Sequence, residues 1–128
     1  MATLLLDTSV ILDHLNDRND RSELLGKLLD AGHSLACCSI NITEVYAGLR
    51  PGEEAHTKEF LGALEFFPIT PAIAERAGLL RRDWKQKGHT LSVTDVTIAA
   101  VALGYNLPLL TDNTRHFPMP EINRLPLL

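Results

Sequence analysis

Four stretches of this sequence carry an acid or an amide where an apolar run gives way to what reads as the start of a helix. Asp7 follows Thr3-Leu4-Leu5-Leu6, and Glu44 closes Ser39-Ile40-Asn41-Ile42-Thr43-Glu44. Asp95 closes Ser92-Val93-Thr94-Asp95, and Asp112-Asn113 follow Leu109-Leu110-Thr111. If the apolar runs are parallel strands, each joins the next through a crossover, and all the strand-to-helix junctions fall on one edge of the sheet. Acids far apart in the sequence are thereby gathered into one pocket. Carboxylates at close range repel strongly in a medium less polar than water, so such a cluster must hold protons or cations. Hard oxygen donors suit Mg²⁺ or Mn²⁺, which keep several waters and bind phosphate oxygens. Two such ions about 4 Å apart activate a water on one side of a phosphodiester and stabilise the leaving oxygen on the other. The expected chemistry is hydrolysis of a nucleic-acid backbone.

Each acid also has a structural explanation. Asp7 fits a helix cap, Asn41 with Glu44 and Ser92 with Asp95 fit the capping-box spacing, and Asp112-Asn113 fits a turn. Taken singly these explanations are the stronger ones. The set favours a site, because caps need no particular neighbours, whereas these residues recur at successive junctions of one sheet. The two readings also coexist, since the positive end of a helix helps keep a nearby carboxylate ionised.

The elements that must position these residues alternate. Strands are expected over Thr3–Leu6, Leu35–Cys38, Phe66–Ile69 and Leu109–Thr111, with a fifth in the apolar tail from Ile122 to Leu128. Between them, a helical stripe of Val10, Ile11, Leu12 and Leu15 ends at the polar Asn16–Asp20 segment. Further helices are expected over Arg21–Asp30, Ile40–Leu49, Glu53–Leu64, Pro71 to Gly88, and Val93–Leu103. Gly32 suits a left-handed helix terminus and Pro71 a first-turn position. Strands alternating with helices imply an α/β fold, a three-layer α/β/α sandwich with a largely parallel central sheet.

With 128 residues, 45% of them hydrophobic, the chain suffices for one domain spanning 1–128. No segment approaches the roughly 18 apolar residues of a membrane helix, and the first apolar run reaches Asp7 without a basic leader, so a cytoplasmic protein is expected. Cys37 and Cys38 are adjacent in an apolar run, which points to buried free thiols. None of the five histidines pairs with another at metal-binding spacing, so zinc is not expected. A net charge of −4 argues against wrapping duplex DNA by bulk electrostatics. Arg76, Arg81, Arg82, Lys85 and Lys87, with Trp84 among them, form a local basic strip that suits either a phosphate backbone or a solvated helix face. Phe60, Leu61 and Leu64 are candidates for a homodimer face or for the core.

Two other acid-pocket folds fit poorly. A phosphorelay receiver needs paired acids after its first strand and a late lysine, but Thr8 follows Asp7 and no lysine follows Lys87. A haloacid-type phosphatase needs a second Asp where Ser9 stands.

Four motifs together resemble the PIN-domain ribonucleases, and among them the VapC toxins of bacterial and archaeal toxin–antitoxin pairs. They are Leu4-Leu5-Leu6-Asp7-Thr8-Ser9-Val10, Asn41-Ile42-Thr43-Glu44-Val45-Tyr46-Ala47-Gly48, Asp95-Val96-Thr97-Ile98-Ala99-Ala100, and Leu110-Thr111-Asp112-Asn113-Thr114-Arg115-His116-Phe117. The resemblance covers essentially the whole chain, in order. It implies a Mg²⁺- or Mn²⁺-dependent endoribonuclease acting on RNA, held inactive by a co-expressed antitoxin that inserts a segment into the acidic pocket. Asp7 and Asp95 would be the main metal ligands, with Glu44 binding metal directly or through water. Thr8, Ser9 and Thr111 would orient the cluster by hydrogen bonds. The fourth position falls to Asn113 or to Asp112, with Arg115 and His116 close by in sequence. RNA specificity would rest on loops such as Asn16–Asp20 and Arg50–Glu54. The amide at Asn113 keeps a second reading open, a PIN-like module that binds RNA or protein without cleaving.

Overall fold

Leu4, Leu5 and Leu6 are all buried, which a strand allows only when both of its faces are covered. In the computed structural model, which describes residues 1–125, that strand lies at the centre of a parallel sheet. The order of elements is β1 (Thr3–Leu6), α1 (Thr8–Leu15), α2 (Arg21–Asp30), β2 (Ser34–Cys38), α3 (Ser39–Ala47) and α4 (Glu54–Gly62). There follow β3 (Glu65–Phe67), α5 (Pro71–Gln86), α6 (Val93–Gly104), β4 (Leu109–Leu110), a 3₁₀ turn at Thr114–His116, and β5 (Arg124–Leu125). The sheet order is β3-β2-β1-β4-β5, and each of these neighbours pairs in parallel.

Alternation along β1 and β2 splits the core in two. Leu5, Ala36, Cys38 and Leu109 face one side, where Ile73 and Ala77 of α5 and Ile98 and Val101 of α6 cover them. Leu4, Leu6, Leu35, Cys37 and Leu110 face the other, under Val10, Ile11, Leu25, Val45 and Leu61. The result is the expected α/β/α sandwich, with every described strand pair parallel.

The differences from the sequence reading are local. The third strand stops at Phe67 because Pro68 has no N–H to donate to a ladder. The helix expected to start at Ile40 starts at Ser39, directly after Cys38. The fifth strand is Arg124–Leu125, and the rest of that apolar tail, residues 126–128, lies outside the described residues. Gly32 has φ +93°, the left-handed geometry that ends α2. Leu61 is buried, and Phe60 and Leu64 pack against the same core, with the Phe60 ring 4.2 Å from that of His14. Leu61 thus belongs to the core, with Phe60 and Leu64 partly buried against it. Among the described residues no helix is long and apolar enough to cross a membrane.

The central position of β1 sets a stability expectation. Leu5→Ala should cost about 2–5 kcal/mol, read as a shifted urea midpoint, because Leu5 is fully buried and both layers are held apart by the sheet. Leu79→Ala, half exposed on α5, should stay within about 0.5 kcal/mol of the parent.

Candidate active site

The sheet order reverses its direction between β1 and β4, which opens a crevice beyond their carboxyl ends. Leu6 is in register with Leu110, so the next residues, Asp7 and Thr111, stand side by side. The Asp7 N–H donates to the Leu110 carbonyl at 3.0 Å, and the Thr111 hydroxyl donates to Asp7 Oδ2 at 2.7 Å. The Ser9 hydroxyl lies 3.3 Å from the same oxygen. Asp7 occupies the N-cap position of α1, yet its carboxylate makes no cap hydrogen bond. Capping therefore does not explain this residue. Burial pushes the Asp7 carboxyl up from its ordinary value of 3.8, against the pull of the Thr111 hydrogen bond. The nearby charge of Asp95 pushes it further up.

Glu44 reaches the site by a different route from the one expected. It lies more than a turn inside α3, not at a junction. The capping box at this end joins Cys38 with Asn41, not Asn41 with Glu44. The Cys38 N–H donates to Asn41 Oδ1 at 2.8 Å, Asn41 Nδ2 donates to the Thr8 hydroxyl at 2.9 Å, and that hydroxyl donates to Glu44 Oε1 at 2.5 Å. Asn41 is fully buried, so its two bonds are made away from water, whereas the Thr8–Glu44 bond is only partly buried.

Asp95 stands at a helix start as expected, but not after a strand. It sits in the first turn of α6, which follows α5 through a loop and not a strand. Ser92 caps this helix by accepting the Asp95 N–H at 3.0 Å, as its spacing suggested. The Asp95 carboxylate faces His116, whose Nδ1 is 3.5 Å from Oδ2.

Beyond β4 the two candidates for the fourth position separate. Asp112 Oδ2 is paired with Arg21 Nη2 at 3.0 Å, and its Oδ1 lies 3.3 Å from the Ser9 hydroxyl. The Asn113 N–H donates to Thr111 Oγ1 at 2.9 Å, and its side-chain amide lies 3.5 Å from Ser9 Oγ. Among the described residues no lysine or arginine pairs with Asp7, Glu44 or Asp95.

The expected tight cluster is looser than foreseen. Among the described residues no three Asp, Glu, His or Cys side chains converge at metal-ligand distance. The donor chemistry nevertheless fits a hard divalent ion. Asp7 and Asp95 are oxygen donors within each other's field and without a lysine or arginine, and Mg²⁺ in particular takes few protein ligands and keeps its waters.

The basic strip is partly committed within the protein. Arg81 Nε donates to the Leu91 carbonyl at 2.9 Å, Arg82 pairs with Asp83 at 3.0 Å, and Lys87 lies 4.4 Å from the Trp84 ring. The loops singled out for specificity face one groove of about 850 Å³, floored by Leu12, Leu15, Val45 and Leu49. Arg50 Nη2 ties them together by donating to Asn16 Oδ1 at 2.9 Å.

Two residues of this network had no role assigned from the sequence. Asn41 was legible only as a cap, although an amide three residues after the buried Cys38, within an apolar stretch, signals a buried hydrogen-bonding centre. Arg21 opens α2, where the positive helix end disfavours a cation, and that misfit was the available signal.

The PIN domain family profile matches residues 4–121 of this sequence. Ribonuclease VapC19 of Mycobacterium tuberculosis is 34% identical over 115 residues, which span 90% of this chain and 92% of that protein. Ribonuclease VapC10 of the same species is 30% identical over 118 residues, spanning 92% and 88%. Among solved structures, VapBC2 from Rickettsia felis bound to a DNA fragment from its promoter superposes with a TM-score of 0.84 at 22% identity, over 97% of this chain and 98% of that one. A toxin–antitoxin complex from Klebsiella pneumoniae gives 0.72 at 27% identity, over 93% and 94%. With the profile running through all four acidic motifs, the chain belongs to the PIN-domain family.

Proposed function

We propose that residues 1–128 form a single PIN domain that acts in the cytoplasm as a Mg²⁺- or Mn²⁺-dependent endoribonuclease, the toxin of a toxin–antitoxin pair. The observation that carries this reading is the contrast in charge compensation: among the described residues Asp7, Glu44 and Asp95 have no lysine or arginine partner, whereas Asp112 beside them has Arg21. Relatives named ribonucleases, at 34% and 30% identity over nearly the whole chain, support the chemistry. Solved toxin–antitoxin complexes with the same fold support an antitoxin as the protein partner.

In this reading Asp7 and Asp95 hold the metal, and Glu44 acts on it directly or through water. A bound divalent ion supplies an activated water and charge stabilisation for the leaving oxygen of an RNA phosphodiester. The chain's own task is orientation. Thr111 and Ser9 both address Oδ2 of Asp7 and so fix the plane of its carboxylate. Thr8, itself held by Asn41, fixes Glu44. Asn113 offers a neutral carbonyl at the fourth position. That amide is also what favours the second reading, a PIN-like binding module that no longer cleaves.

Cleavage of total RNA by the purified protein should give discrete fragments with Mg²⁺ or Mn²⁺ and none with EDTA. Asp7→Asn and Asp95→Asn should abolish the fragments while the fold, read by circular dichroism, is kept. Metal-independent cleavage, or full activity in Asp7→Asn, would refute the site, and a folded parent that cuts no RNA would favour the binding module. Thr111→Val removes an orienting hydroxyl and should lower the cleavage rate roughly 10–100-fold.

A pH series separates this site from a structural one. Because the folded Asp7 carboxyl holds its proton to higher pH than the unfolded chain, the stability linked to that proton is fully present below 3.8 and lost as pH rises through the raised folded value. Asp7→Asn mimics the protonated form, so its melting temperature should exceed the parent's at neutral pH without metal. The gap should close as pH falls to about 3.8. A melting temperature below the parent's at neutral pH would show that the carboxylate is structural.

A further inference from the structure

Arg21 is a buried cation, 9% exposed, at the start of a helix. The loop that delivers it is unusual. Asp17, Asn19 and Asp20 have φ of 51°, 56° and 54°, a left-handed run that non-glycine residues adopt only where their surroundings hold them. Asp13 does much of the holding: its Oδ2 accepts from Asn19 Nδ2 at 3.1 Å and lies 3.3 Å from Arg21 Nε, while its carbonyl accepts the Arg18 N–H at 2.8 Å. Arg21 Nη1 donates to the Asn19 carbonyl at 3.3 Å. Bent in this way, the loop carries the guanidinium to Asp112, 91 residues further along the chain.

Asp112 is then one hydroxyl away from the metal-binding acids. Ser9 Oγ lies 3.3 Å from Asp112 Oδ1 and 3.3 Å from Asp7 Oδ2, and its single proton serves one of them at a time. Without Arg21, a fourth unpaired carboxylate would stand at the rim of the site. With it, Asp112 must break a charge-assisted hydrogen bond to a guanidinium that cannot lose its charge before it can bind a metal.

We propose that Arg21 is a positioning residue for the metal site: it holds the Asp112 carboxylate outside the coordination shell and leaves the place after Thr111 to the neutral Asn113. Asn113 is already fixed there through its N–H bond to Thr111 Oγ1. The consequence is a site with fewer negative ligands, which binds its ion less tightly and leaves more of the shell to water and phosphate. This inference rests on the reading of Asp7 and Asp95 as metal ligands.

The test is Mn²⁺ affinity of the full chain, measured by calorimetry and by electron paramagnetic resonance of the free ion. The variants are Asp7→Asn, Asp112→Asn, Arg21→Gln and the double variant Arg21→Gln/Asp112→Asn. Binding should vanish in Asp7→Asn and be unchanged in Asp112→Asn. Arg21→Gln should tighten it roughly tenfold by releasing a carboxylate, and that gain should be absent in the double variant. A purely structural Arg21 would shift the affinity equally with or without the Asp112 carboxylate, and that result would overturn the proposal. So would a large loss of affinity in Asp112→Asn, a comparison that decides the matter alone if Arg21→Gln does not fold. Wild-type protein that binds no Mn²⁺, or binds it without Asp7, overturns the metal reading and this inference together. Binding that needs both Asp7 and Asp112 overturns this inference only.

Discussion

A carboxylate buried at the end of a central strand, with no lysine or arginine paired to it among the described residues, is the constraint to which the rest of the structure answers. Asp7 is tolerated there because the β1–β4 register sets Thr111 alongside it and because the crevice beyond the strands keeps one side open. Desolvation disfavours its charge, and the neighbouring charge of Asp95 adds to the strain. A divalent cation relieves both effects at once. The same feature that weakens the metal-free protein is thus what a bound cation would offset.

Two polar systems, one around the buried Asn41 and one around the buried Arg21, keep that acid in a defined setting. On one side Asn41 joins the backbone at Cys38 to Thr8 and so to Glu44. On the other, Arg21 joins Asp13 on α1 to Asp112 after β4. Both end on groups whose positions the backbone dictates, and both place a hydroxyl-bearing residue of the first α1 turn, Thr8 or Ser9, next to an acid. Partly satisfied buried networks are costly, so these contacts specify one arrangement more than they add to stability.

Much of this was legible in the sequence. The bounds of β1 and α2 were read directly, because an apolar run that stops at an acid and a polar run that opens into a helix are local signals. The parallel layering followed from the alternation of strand and helix. The approach routes of Glu44 and Asp95 were misplaced, because the reading assumed a strand before each acid, whereas α3 carries Glu44 inward on a helix face and α6 follows another helix. The pairing of Arg21 with Asp112 was not legible, because no local pattern links residues 91 positions apart. For the same reason the contact that distinguishes Asp112 from Asn113, made by a distant helix, was not legible either.

The bond between Thr111 and Asp7 closes a loop of 104 residues. A ribosome adds roughly 5–20 residues per second, so Thr111 is joined to the chain about 5 to 20 seconds after Asp7. Until then Asp7 has neither the Thr111 hydroxyl nor β4 beside it, and the crevice beyond β1 and β4 does not exist. The candidate site is thus assembled late, once β4 has been made. A nascent chain, or any fragment that ends before β4, carries the acids of a nuclease but not its site.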